Sequence, residues 1–177
     1  MRIEIPDPSL ILLIGPSGAG KSTFAARHFA PTEIVSSDRC RAMICDDEAN
    51  QEVSPAAFSL LRHITRARLA LGRLTVIDAT NLQPRARRPL RRMAAICRLP
   101  AVAIVFNPPL ETCLARNLSR PHRRVIEDVI REHLDALRRT LPQIAAEGYA
   151  GVIPIDDLNS SEIRVHRIAA EASPCAV

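Results

Sequence analysis

The sequence predicts an α/β fold: a mostly parallel central sheet flanked by helices. Two observations carry this reading. Short, unbroken apolar runs alternate along the chain with longer stretches of helical periodicity, and one early run stops at a glycine-rich turn that leads into a helix. The 177 residues suffice for one substantial core, so residues 1–177 are read as a single domain.

Residues 10–14 (LILLI) are apolar throughout and end in Gly15, the pattern of a strand buried on both faces. Residues 21–29 continue as a helix. Residues 33–36 read as a second strand, 74–78 (LTVID) as a third, 101–106 (AVAIVF) as a fourth and 151–155 as a weaker fifth. Between them, residues 55–71, 84–98, 110–118 and 125–146 have helical periodicity, with a break expected at Pro142. Pro55, Pro84 and Pro109 suit first-turn positions, where a missing N–H costs nothing. Residues 46–54 (DDEANQEVS) form a polar, acidic stretch expected to be an exposed loop. Residues 162–168 fit either a strand or a helix, within a tail from 160 to 177 that is poorly defined.

Composition narrows the function classes. With 47% apolar and 24% charged residues the chain reads as globular rather than disordered. Four Phe, one Tyr and no Trp argue against base stacking on an aromatic platform as the main mode of binding. The net charge of +5 biases the protein toward anionic partners. Five Cys without C-x-x-C spacing, and five His, make no recognisable zinc pattern. Reduced thiols, a polar N-terminus with two prolines, and no apolar run of membrane-spanning length lead to the expectation of a cytoplasmic protein without a membrane anchor.

Gly15-Pro16-Ser17-Gly18-Ala19-Gly20-Lys21-Ser22 fits G-x-x-x-x-G-K-[ST], with Thr23 following. In such a loop, successive backbone N–H groups and the next helix's dipole point at a β-phosphate. Lys21 would bridge the β and γ oxygens and Ser22 would ligate Mg²⁺. Of 24 basic residues, Lys21 is the single lysine. A compact ammonium fits between phosphate oxygens where a wide guanidinium does not.

Ser36-Ser37-Asp38-Arg39-Cys40-Arg41 follows the second strand. Ser37 or Asp38 either caps the next helix, or Asp38 accepts the proton of an attacking hydroxyl while Arg41, one turn on, holds an anionic acceptor. Asp78 ends the third strand, where an acid can hold the Mg²⁺ shell through water or simply anchor a loop. Arg116, Arg120, Arg123 and Arg124 lie between two helical stretches; they form either a basic surface or a lid (about 110–140) that closes on phosphates. Arg85, Arg87, Arg88, Arg91 and Arg92 read as a solvated helix face.

Together, GPSGAGKSTFA, SSDRCR, GRLTVIDATN and RNLSRPHRR resemble the kinase module of bacterial polynucleotide kinase–phosphatase, over about residues 5–155. The resemblance implies a P-loop NTPase fold with an arginine-bearing helical lid. It also implies transfer of the γ-phosphate of ATP or another NTP, with Mg²⁺, to 5′-OH ends of RNA or DNA in nucleic-acid repair. By the same resemblance, Lys21 and Ser22 serve the triphosphate and metal, Asp38 activates the 5′-OH and Arg41 binds the acceptor's phosphate. Arg116 and Arg123 match lid arginines on the NTP phosphates, and Arg120 matches without a specified role. Phosphatase and ligase modules often accompany this kinase, and no stretch here resembles either. A P-loop kinase for a small-molecule hydroxyl and a non-catalytic NTP-binding switch are the alternatives.

Overall fold

The computed structural model describes residues 1–119, 125–156 and 163–170. The first half of the chain runs β1 (Arg2–Asp7), β2 (Leu10–Ile14), α1 (Lys21–His28), β3 (Ile34–Ser36), α2 (Ser37–Cys45) and α3 (Ser54–Ala70). The second half runs β4 (Thr75–Asp78), α4 (Pro84–Ile96), β5 (Ala101–Phe106), α5 (Leu110–Leu118), α6 (Glu127–Ile144), a 3₁₀ turn, β6 (Gly151–Ile155) and β7 (Arg164–Ala169). Five strands form a parallel sheet in the order β3-β4-β2-β5-β6. This is the P-loop NTPase type of α/β fold that the sequence predicts.

Every residue of β2 is buried, as the unbroken apolar run requires. Its side chains alternate between two cores because successive residues of a strand point to opposite faces. Leu10, Leu12 and Ile14 join Leu61 and Leu69 of α3, Leu90 of α4 and Leu137 of α6. Ile11 and Leu13 meet Phe24 of α1 and Phe106 of β5 on the other face. The register sets Leu13 opposite Asp78, and Asp78 opposite Ser36. Three strand ends, each carrying one of the sequence motifs, therefore lie side by side at the carboxyl edge.

Three readings of secondary structure change here. Residues 2–7 form a strand that the sequence reading did not assign, paired in parallel with β7. Ile3 and Ile5 are buried in the second core, while Arg2 and Glu4, which alternate with them, are exposed. The alternation was present, masked by charges and two prolines. The 162–168 ambiguity resolves as strand, over Arg164–Ala169. Helix α6 also continues through Pro142 to Ile144 rather than breaking there. Pro142 lies in the last turn, so it interrupts little of the ladder before the helix tightens to 3₁₀.

A further correction concerns the arginines of α4. Arg88 and Arg92 are solvated, but Arg87 is fully buried. Its Nη1 donates to the carbonyls of Asn81 (2.9 Å) and Leu82 (2.8 Å), and its Nη2 to Thr140 Oγ1 (2.9 Å). Its Nε reaches Glu147 Oε2 at 3.0 Å, and Nη2 also pairs with the same carboxylate. Arg91 adds a second ion pair to Glu147 at 3.4 Å. A buried guanidinium persists when its donors are satisfied this fully. Arg87→Ala should therefore destabilise the protein by about 3–5 kcal/mol, because Glu147 loses its buried partner. Arg88→Ala should stay within about 0.5 kcal/mol of wild type. Denaturant unfolding of the two variants checks the contrast.

Candidate active site

Gly15, the first residue after β2, donates its N–H to the Thr80 carbonyl at 3.0 Å. A Cβ there would meet the Phe106 carbonyl oxygen at 2.6 Å, so only glycine lets the chain leave the sheet beside β5. Gly18 has φ +80°, and a Cβ on it would lie 2.5 Å from the Cys113 carbonyl of α5. The loop therefore lies flush against α5. Lys21 is buried, and its Nζ donates back to the carbonyls of Gly15 (2.9 Å) and Pro16 (2.7 Å). Residues 15–20 wrap around their own ammonium.

Helix α1 begins with Gly20 in the left-handed region, no side chain caps it, and its first turn holds no acid. An uncapped helix N-terminus with a lysine beside it carries positive potential and suits an anion. Ser22 and Thr23 lie in that first turn. Arg116, at the end of α5, donates from Nη1 to the Ala19 carbonyl at 3.3 Å, so it reaches the loop. It lines a separate pocket of about 140 Å³ with Gly20, Thr23, Arg27 and His28. Arg120, Arg123 and Arg124 lie outside the described residues.

On the other side of Lys21, a cavity of about 450 Å³ opens toward α2, with Ser17, Ser22, Asp38, Arg41 and Asp78 in its wall. The cap of α2 is Ser36, whose Oγ accepts from the Arg39 N–H at 3.4 Å. Asp38 is thus not the capping residue. Its carboxylate accepts from the Ser37 hydroxyl at 3.3 Å and pairs with Arg41, one turn on. The Asp38 side chain is 35% exposed and that of Arg41 only 4%. Arg41 Nε donates to the Glu48 carbonyl at 2.7 Å, which ties the acidic loop to α2. Burial pushes the Arg41 guanidinium below its ordinary value, with the nearby Glu48 acting in the opposite direction.

Sequence reasoning missed what the rest of the wall supplies. Val129 and His133 project from α6, one turn apart, and His133 Nδ1 accepts from the Ser17 N–H at 3.4 Å. Ala49 and Gln51 of the acidic loop line the same cavity, so that loop is more than an exposed connection. Helix α6 is held over the site by Cys113, Ile130 and Leu134. The Asn117 side chain also exchanges hydrogen bonds with the Val125 backbone, at 2.8 and 2.9 Å. A lone histidine on an amphipathic helix carries no spacing signal that could have marked it.

With a glycine-rich loop at the end of a central parallel strand, and an acid and a buried cation across the cavity, the chain has a kinase-type P-loop fold. Residues 10–144 match AAA_33, an AAA domain, and the chain belongs to that family. Over 111 residues it is 31% identical to the transcription factor bHLH140 of Arabidopsis thaliana, covering 63% of this chain and 11% of that protein. The chain therefore spans about a tenth of that relative.

Among solved structures, a chain of the Pnkp1/Rnl/Hen1 RNA repair complex superimposes with a TM-score of 0.64 at 24% identity, covering 78% of this chain and 47% of that one. A gluconokinase from Sinorhizobium meliloti 1021 gives 0.54 at 17%, covering 88% and 86%. A shikimate kinase from Bacteroides thetaiotaomicron gives 0.55 at 14%, covering 86% and 90%. No helix among the described residues is long and apolar enough to cross a membrane.

The packing of the loop on α5 is directly testable. Gly18 and Gly148 share nearly the same φ, +80° and +79°, but a Cβ at Gly148 meets nothing. Both Gly→Ala changes incur the left-handed strain of about 1–3 kcal/mol. Gly18→Ala alone must also displace a backbone carbonyl, so it should lower Tm clearly more than Gly148→Ala. Equal Tm values would mean that the loop does not rest on α5.

Proposed function

We propose that the protein is a polynucleotide 5′-hydroxyl kinase, moving the γ-phosphoryl group of ATP or another NTP onto 5′-OH ends of RNA or DNA. The observation that carries this reading is the placement of Asp38 and Arg41 in the same cavity wall as Lys21. A nucleotide-binding switch has no use for a carboxylate and a buried cation facing the phosphate loop. A kinase needs both when its hydroxyl acceptor also bears a phosphate. The motif resemblance over about residues 5–155 supports a nucleic-acid acceptor.

In this reading the loop from Gly15 to Gly20, through the backbone N–H groups it does not already use within the fold, holds the triphosphate together with Lys21 and the Ser22–Thr23 turn. Ser22, with Asp78 through water, would hold Mg²⁺; their hydroxyl and carboxylate oxygens suit a hard cation that keeps phosphate and water ligands. That ion would neutralise charge on the β and γ oxygens. Asp38 takes the proton of the 5′-OH as its oxygen bonds to Pγ. The bond from Pγ to the bridging oxygen breaks, and the electron pair leaves on the NDP. Lys21 stabilises the charge that develops there. Arg41 holds the acceptor's nearest phosphate, while Arg116 and Arg123 engage the NTP from the α5–α6 lid (about 110–140). Residues 1–177 would act as one kinase unit in the cytoplasm, partnered in repair by phosphatase and ligase modules.

The RNA repair complex shares this fold, which is compatible with the reading. The likeness to gluconokinase and shikimate kinase over most of their lengths favours, as a second reading, a small-molecule hydroxyl acceptor. The deciding experiment incubates the protein with γ-labelled ATP and a panel of 5′-OH RNA, 5′-OH DNA, nucleosides and small hydroxy acids. Label is expected on the oligonucleotides; label only on an uncharged or small acceptor would select the second reading.

Four variants and one salt series sharpen this. Lys21→Ala should lower transfer by on the order of 10²–10³ without loss of fold. Ser36 caps α2, so the cap survives in Asp38→Asn. The change removes the base and the carboxylate that pairs with buried Arg41, so transfer should fall steeply and Tm should drop, while NTP affinity stays nearly unchanged. An active Asp38→Asn enzyme would remove Asp38 from the chemistry. Arg123→Ala should lower transfer more than Arg124→Ala; equal effects would make the lid arginines a general basic surface. At saturating NTP, log KM for a 5′-OH oligonucleotide should rise with log salt by roughly 0.7 per phosphate contacted. A flat line, together with good turnover of a neutral acceptor, would rule out the polynucleotide.

A further inference from the structure

A second cavity of about 470 Å³ opens between α3 and α4, and it shares Phe58 and Thr80 with the candidate active cavity. The two spaces adjoin, with Phe58 in both walls. Leu61, Leu82 and Leu90 give the second cavity an apolar floor, and no carboxylate among the described residues lines it. Arg62 of α3 and Arg85 of α4 stand on its sides, the first half-buried and the second exposed. Neither makes an ion pair or a hydrogen bond to the described residues, unlike Arg87 and Arg91 two turns or less away. Of the four phenylalanines, Phe24, Phe29 and Phe106 are buried in the opposite core. Phe58 alone is partly open at this edge.

An apolar trough with two guanidinium groups that no described carboxylate neutralises fits a ligand that repeats flat apolar units on an anionic thread. A single strand of nucleic acid has that chemistry. We infer that this groove carries the acceptor strand beyond its reacting end. The terminal nucleotide occupies the cavity beside Asp38, the next bases lie past Phe58 on the leucine floor, and Arg62 and Arg85 hold phosphodiesters. A base against Phe58 gains stacking, and the guanidinium groups release counterions from the strand. This rests on the proposed reading of the site and assigns the path by which that site would read acceptor length.

The test measures KM and kcat at saturating ATP, with γ-labelled transfer to a nucleoside 3′-monophosphate and to 5′-OH oligonucleotides of two, four and eight nucleotides. The variants are Arg62→Ala, Arg85→Ala and the double change. In the unmodified protein KM should fall with acceptor length and then level off as the groove fills. The double variant should raise KM severalfold for the longer acceptors and leave kcat and the mononucleotide values unchanged. Its salt slope on a four-nucleotide acceptor should flatten by about 1.4, two single-strand phosphate contacts at roughly 0.7 each. Oligonucleotide transfer with the same length profile in the double variant would overturn the groove assignment and leave the kinase reading standing. The groove assignment equally falls if all acceptors weaken alike, or if KM is independent of length, as for a groove that serves a protein partner. No transfer to any 5′-OH nucleic acid would overturn both.

Discussion

The fold hangs on five residues that never see water. With all of β2 buried, its backbone groups must find partners on both edges, and the parallel ladders to β4 and β5 supply them. That demand fixes register as well as order. A slip by one residue would turn Leu10, Leu12 and Ile14 from one core to the other and disrupt both. Once register is fixed, Gly15 must emerge beside Thr80 and Phe106, and Asp78 must stop level with Leu13. The site is thus a consequence of where an apolar strand is allowed to end.

The second support is polar, and it works from behind. Arg87 joins the turn after β4, at Asn81 and Leu82, to Thr140 on α6 and to Glu147 beyond it. Asn81 itself sits at φ +49° and sends its side-chain amide to the Leu13 carbonyl at 2.8 Å. One guanidinium therefore sets the distance between the turn that carries Thr80 and the helix that carries His133. Apolar packing alone would let α6 slide; directional hydrogen bonds to fixed carbonyls do not.

What was legible in the sequence follows from what generates a local pattern. The buried strands, the glycine-rich loop and Lys21 are visible because close packing and phosphate chemistry constrain neighbouring residues together. Asp38 and Arg41 were legible as a pair, since a spacing of three puts them on one helix face. Whether Asp38 caps was not legible, because Ser36, Ser37 and Asp38 all have capping side chains and only backbone geometry chooses Ser36. Arg87 looked like its neighbours because burial of a charge depends on partners 53 and 60 residues away. Val129, His133, Gln51 and Phe58 reach the cavities through tertiary packing, which leaves no signature in spacing. The strand at residues 2–7 has the period-2 pattern, but its partner is the far end of the chain.

The pairing of Asp38 with Arg41 bears on what the proposed acceptor must be. In the free site each is the other's charged partner, and Arg41 is further anchored to the Glu48 carbonyl. A neutral hydroxyl compound brings nothing to compete for the guanidinium, so Asp38 would stay turned toward Arg41 rather than toward the incoming oxygen. An acceptor with a phosphate near its hydroxyl can take over part of Arg41's hydrogen bonding, freeing carboxylate lone pairs for the hydroxyl proton. Arg41 is almost fully desolvated while Asp38 is about one-third exposed, so that exchange would set two anions against each other at one buried cation. Under this reading the acceptor's own charge would switch on the base, through the pairing that α2 sets between residues one turn apart.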